Sequence, residues 1–133
     1  FVHVHMTSKK DKNKLRQQKL EEIFIIIGGI LVEMGKDRFL STNPNLNIEN
    51  PKFEIGKLHS LISFYAPELQ EDYKDFMSTY QEFGPLILNK FRTLDSDDKR
   101  IEATTEELVQ MIFSLSSKGN IIKEKLTKIA QTL

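Results

Sequence analysis

The chain contains no cysteine, which excludes disulfides, thiol catalysis and thiolate-ligated zinc or iron–sulfur clusters. It carries no excess of either charge. With 19 basic and 19 acidic residues the formal net charge is zero, so no global field draws in nucleic acid or an anionic membrane, and any such binding must come from local charge. A hydrophobic run long enough to cross a bilayer is also missing. The one stretch that is apolar on every face, residues 23–32, follows Glu21-Glu22 and stops at Glu33, whereas a spanning helix needs roughly 20 such residues. The acidic flanks and the lack of a small-x-small cleavage site argue against a secretory signal. Lack of cysteine fits a reducing compartment only loosely; we expect a cytoplasmic protein, with peripheral membrane association open to it.

Histidine is scarce, and the chemistry that needs it is scarce with it. His3 and His5 have chelating spacing, but one pair is too few ligands for a metal site. They lie in residues 1–5, ahead of Met6, a stretch that reads as a cloning remnant before a native start. His59 stands with no second His at helical spacing, and the Glu-x-x-His pair of di-iron bundles does not occur. Asp95-x-Asp97 with Glu106 resembles the ends of a calcium-binding EF-hand loop. Lys99 and Arg100, however, occupy the fifth position and the sixth, where the sharp turn needs glycine. Gly28-Gly29 belongs to no phosphate loop, and neither a G-x-S-x-G elbow nor an H-E-x-x-H pair is present. The expectation is a protein that is not an enzyme and has no catalytic residue, no cofactor, no metal and no small-molecule substrate.

What is there reads as helix. Hydrophobic content of 39 % and charged content of 29 % are those of a chain that folds, and 133 residues are enough for one domain; we place it at residues 6–133. From residue 13 to about 39, Leu20, Phe24, Ile27, Leu31 and Met34 recur in steps of four and three, the seam of a packed helix. An Asn-rich loop over residues 41–50 ends in Asn50 as a cap and Pro51 at a first helical position. The second helix carries Ile55, Leu58, Ile62 and Tyr65 on one face and stops at Ala66, because Pro67 disfavours a helical residue before it. A third helix opens at Pro67, with Glu68 favoured by the helix dipole in its first turn. Leu69, Tyr73, Phe76, Tyr80, Phe83 and Ile87 keep its rhythm, extended by Phe91 and Leu94 across a kink expected at Gly84-Pro85. The three tyrosines read as residues of the core's edge with hydroxyls toward solvent. Thr104-Thr105-Glu106-Glu107 carries a capping-box signature for the last helix. Its stripe of Leu108, Ile112, Leu115, Gly119, Ile122, Leu126, Ile129 and Leu133 holds register through Ser116-Ser117-Lys118-Gly119-Asn120, which favours one continuous or kinked helix. The expected fold is all-α, a four-helix up-down-up-down antiparallel bundle with a short second helix and a kinked third helix. The short second helix would leave residues 9–19 without a neighbour on its side.

Two features point outward. Lys9, Lys10, Lys12, Lys14, Arg16 and Lys19 set six positive charges against Asp11 alone, either a solvated helix start or an arm for phosphates and lipid headgroups. No aromatic side chain is interleaved to stack on bases. Across residues 49–82 acids outnumber bases seven to three, so the arm can also pair with its own chain or a second subunit. The other feature is a second apolar strip on the first helix, Ile25, Gly29 and Val32, with glycine at its middle where backbones can approach closely. The candidate binding residues are therefore Ile25, Gly29, Val32, Lys10, Lys12, Lys14 and Arg16, and the candidate partners a second copy in a homodimer, another protein, a membrane surface or a nucleic acid.

The run Lys57-Leu58-His59-Ser60-Leu61-Ile62-Ser63-Phe64-Tyr65-Ala66-Pro67-Glu68-Leu69-Gln70-Glu71-Asp72-Tyr73-Lys74-Asp75-Phe76 resembles small, mostly uncharacterised bacterial helical-bundle proteins that share an aromatic-x-Pro-Glu-Leu helix corner. Several of these look membrane-anchored by a preceding helix. The resemblance implies the helix–helix corner and a bundle, and it brings no catalytic residues. The sequence as a whole points to a non-enzymatic helical interaction or assembly module, with a membrane-surface- or nucleic-acid-associated regulatory protein using the basic segment as the alternative.

Overall fold

The computed structural model describes residues 9–34, 53–86 and 98–133. Four helices account for most of them: α1 (Lys9–Met34), α2 (Ile55–Tyr65), α3 (Gln70–Tyr80) and α4 (Asp98–Gln131), with a 3₁₀ turn at Pro67–Leu69 between α2 and α3. The fold is all-α, with no strand among the described residues.

In α1 the polar residues from Lys9 onward are good helix formers, and burial begins only at Leu20. The buried side is Leu20, Ile23, Ile27, Ile30 and Met34, in steps of three and four, a phase different from the expected seam. Phe24 lies at the rim, 38 % exposed, and Leu31 is half-buried. The physical reason lies in the isoleucine run itself. A segment apolar on every face satisfies more than one heptad phase, so its neighbours in the fold, and not its own periodicity, choose the side that turns inward.

Asn50 and Pro51 lie outside the described residues. Phe53 and Glu54 are not helical, and α2 begins at Ile55 without a side-chain cap. The end of α2 follows from Pro67. Ala66 leaves the helix with φ −142° and ψ 54°, outside the α region that a following proline disfavours. Its backbone stays satisfied: the Ala66 N–H donates to the Ile62 carbonyl at 3.0 Å, and the Leu69 N–H donates to the Ala66 carbonyl at 2.9 Å.

Past Tyr80 the chain turns at residues 81–82 and is helical again over residues 83–86. The break precedes Pro85 by one helical turn, which is where its ring meets the carbonyl four residues back, that of Gln81. The bonding tightens there, with the Glu82 N–H reaching the Thr79 carbonyl at 3.1 Å. Ile87, Phe91 and Leu94 lie outside the described residues.

The last helix does not start at the capping-box signature. Thr104 and Thr105 stand inside a 34-residue helix whose first residue is Asp98. Lys99, Arg100, Glu102 and Ala103 have high helix propensity, and they carry the helix through the Thr pair. The Thr105 Oγ1, freed of any capping role, is buried without a hydrogen-bond partner. Residues 116–120 continue the same helix, and the buried side is Leu108, Met111, Leu115, Gly119, Ile122 and Leu126. Ile112 is only half-buried and Met111 replaces it in the core.

α4 packs on both α1 and α3. Against α3, Lys118 meets Thr79 and Asp75 while Lys125 meets Asp72. The numbers rise on one helix as they fall on the other, so the pair is antiparallel. Against α1, a Cβ at Gly119 would touch Leu31 while Lys123 stands over the Phe24 ring, an antiparallel pair again. The core runs between these helices, with Phe76, Ile27, Ile62 and Leu108 fully enclosed.

Candidate functional site

The rotation of α1 that buries Ile23, Ile27 and Ile30 turns Ile25, Gly29 and Val32 directly away from the core, because residues about half a helical revolution apart take opposite faces. Ile25 and Val32 are each 70 % exposed. Among the described residues no atom lies within 4 Å of a Cβ built on Gly29, so the strip is open at its middle. Its border toward α4 is Phe24, whose ring carries the Lys123 Nζ 4.6 Å from its centroid, a cation–π contact. Gly28 lies beside it, its Cβ direction 3.9 Å from the same nitrogen. Two exposed β-branched side chains on one helix face, with bare backbone between them, can bury apolar area against another helix; they offer nothing for bond-making chemistry.

The basic segment divides. Lys10, Lys12 and Lys14 are exposed near the start of α1, where positive charge is opposed by the helix dipole. Arg16 is committed inward. Its Nε donates to the Tyr65 carbonyl at 3.0 Å, and one terminal nitrogen reaches both oxygens of Glu68 at 3.0 and 2.9 Å. Lys19 sits 6.0 Å from the centroid of the Tyr65 ring and pairs with Glu22 at 3.4 Å. The expectation that residues 9–19 have no neighbour on the α2 side therefore fails at Arg16 and Lys19, because the α2–α3 corner reaches them. The strip and the exposed lysines share α1 but form no single cluster, since the strip begins beyond Glu21 and Glu22.

His59, exposed on α2, faces Tyr73 with ring centroids 5.9 Å apart. The two help to line an open groove of about 490 Å³ between α2 and α3, together with Ile55, Lys74 and Met77. Among the described residues no carboxylate lines it beside His59. Burial raises the phenol pKa of Tyr73 and of Tyr80 above the ordinary 10.0, which makes both weaker acids and holds them in the protonated form. Tyr73 is buried, not at the core's edge. No group of three or more His, Asp or Glu side chains that could hold a metal ion occurs among the described residues. His3, His5, Asp95 and Asp97 lie outside them, and Glu106 is exposed on α4. No helix among the described residues is long and apolar enough to cross a membrane.

Sequence reasoning identified Ile25, Gly29 and Val32 as a strip but assigned Phe24 to the core. It missed Lys123, whose place over Phe24 depends on the pairing of α1 with α4 and leaves no trace in local periodicity. Comparison with family models, with curated proteins and with solved structures gives no match, so the functional reading rests on this chain's own residues.

Proposed function

We propose that the chain is a non-enzymatic helical interaction and assembly module whose docking face is the outer side of α1. The observation that carries this reading is the exposure of Ile25 and Val32, 70 % each, on either side of an open Gly29. Single exposed aliphatics are common on protein surfaces and need no explanation. Here two lie about two turns apart on one face of one helix, with a glycine between them that admits close backbone approach. Fully burying a side chain of this size contributes about 1.5–3 kcal/mol, so a helix laid along the strip gains from both at once. The groove beside His59 supports a binding role over a catalytic one, since no carboxylate is among the described residues that line it.

The test is light scattering over a concentration series reaching the millimolar range, with Val32→Glu as the control. The expected result is a mass that rises above the monomer's with concentration in the wild type. The variant should stay monomeric, with unchanged helix content by circular dichroism. A strict monomer at every concentration would overturn the assembly reading.

A further inference from the structure

We infer that the occupant of the α1 outer face is a second copy of this chain, laid antiparallel across it with the two-fold axis at the Gly28–Gly29 peptide. The inference rests on the assembly reading above and adds the partner and its register. An isologous contact requires that residue i of one copy meet residue j of the other while j meets i, so a helix that packs on its own antiparallel copy must present a strip that reads alike in both directions. This one does. Outward from Gly28 and Gly29 the sequence gives Ile27 and Ile30, then Ile26 and Leu31, then Ile25 and Val32. The correspondence breaks at Phe24 and Glu33, which stand on opposite flanks of the helix and off the outer strip. Of the matched pairs, Ile27 and Ile30 are buried within the chain, while Ile25 and Val32 are the exposed ones. Crossing at the two glycines then seats Ile25 of each copy on Val32 of the other, with bare backbone at the point of closest approach. Among the described residues no atom lies within 4 Å of a Cβ built at Gly29, and the contact at Gly28 is the flexible end of Lys123 at 3.9 Å.

Charge selects the antiparallel sense. A parallel pair would lay Lys10, Lys12 and Lys14 of one copy alongside those of the other, and Glu21 and Glu22 against Glu21 and Glu22, with like charges facing at both places. The antiparallel pair sends the two basic ends to opposite poles of the dimer. One helix face per copy lies at the small end of specific interfaces, below roughly 1,200 Å² in total, so the dimer is weak and concentration-dependent.

The absence of cysteine makes the register directly readable. Ile25→Cys and Val32→Cys variants, one of them carrying a mass tag, are mixed in equal amounts and mildly oxidised. In the proposed crossing, position 25 faces position 32 of the other copy within the reach of a disulfide, whereas like positions are displaced by about 10 Å along the axis. The expected result is a 25–32 disulfide at least five times more abundant than either the 25–25 or the 32–32 product. A Gly29→Leu variant should weaken association at least tenfold while keeping the wild-type helix content. A dimer by light scattering that gives a statistical mixture, or mainly 25–25 product, overturns the crossing and leaves the assembly reading in place. No dimer at all overturns both.

Discussion

Two glycines show how the same residue does opposite work within one fold. Gly119 lies on the core side of α4, and a Cβ there would stand 2.9 and 3.0 Å from the two methyl carbons of Leu31 and 3.1 Å from Cε1 of Phe76. Phe76 is fully enclosed and has no room to retreat. Glycine at this position lets α4 approach α1 and α3 together. Gly29 has open space where its Cβ would be. Replacing an exposed helical glycine by alanine gains about 0.5–1 kcal/mol in backbone entropy and propensity, whereas overpacking a filled core costs about 1–3 kcal/mol. Gly29→Ala is therefore expected to raise the stability of the monomer by about 0.5–1 kcal/mol. Gly119→Ala should lower it, and Gly119→Val should lower it further. Urea unfolding at concentrations dilute enough to hold the chain monomeric gives the comparison. A Gly119→Ala variant as stabilised as Gly29→Ala would show that Leu31 and Phe76 yield freely. The place of Gly119 on the core side was legible from its register with Leu115 and Ile122. The two side chains that need its missing methyl were not, because they come from different helices.

At the scale of elements, Arg16 joins three of them. The last carbonyls of a helix lack intrahelical donors, and at the end of α2 the Tyr65 carbonyl receives the Arg16 Nε at 3.0 Å. The same guanidinium holds Glu68 at 2.9 Å in the 3₁₀ turn that leads into α3. One side chain of α1 thus fixes both the end of α2 and the start of the next helical segment. The Arg16 and Glu68 side chains are 32 % and 49 % exposed, so solvent and salt screen the ion pair, and Arg16→Ala is expected to cost about 1 kcal/mol. Arg16→Lys should recover little of it, because an ammonium lacks the planar fork that serves both acceptors. Urea midpoints at low and high salt separate the two parts. The ion-pair share should fade in salt while the carbonyl share persists, and a loss that vanishes entirely at high salt would remove the Tyr65 contact from the account. Glu68 was legible as an acid placed well in a helix's first turn. Its pairing with a residue 52 positions earlier was not, since helical periodicity speaks only for neighbours a few residues apart.

Across the whole molecule, what the sequence made legible followed from strong local rules. Pro67 ends α2 at the expected place, Pro85 breaks the helical path one turn before itself, and polar–apolar periodicity gives the helix class throughout. Where local rules were satisfied in more than one way, packing decided. The isoleucine run allowed several seams, and the Thr-Thr-Glu-Glu signature was overridden by helix formers on both sides. Packing also sets how the molecule responds to pH, through α3. Tyr73 is 5 % exposed, and burial raises its phenol pKa, and that of Tyr80, above 10.0. In the unfolded chain a tyrosine ionises near pH 10, so alkali deprotonates the unfolded state first and draws the equilibrium toward it. The contribution is fully present below about pH 10 and is lost as pH rises through the higher folded value. The urea midpoint should accordingly fall between about pH 9 and pH 11. Tyr73→Phe should show a shallower fall than the wild type, because the variant keeps the ring and removes the ionisable proton. Every other group is common to both proteins, so the difference between the two curves isolates the phenol. Parallel curves would mean that Tyr73 ionises as readily folded as unfolded, and that its hydroxyl reaches water despite the enclosure of its ring.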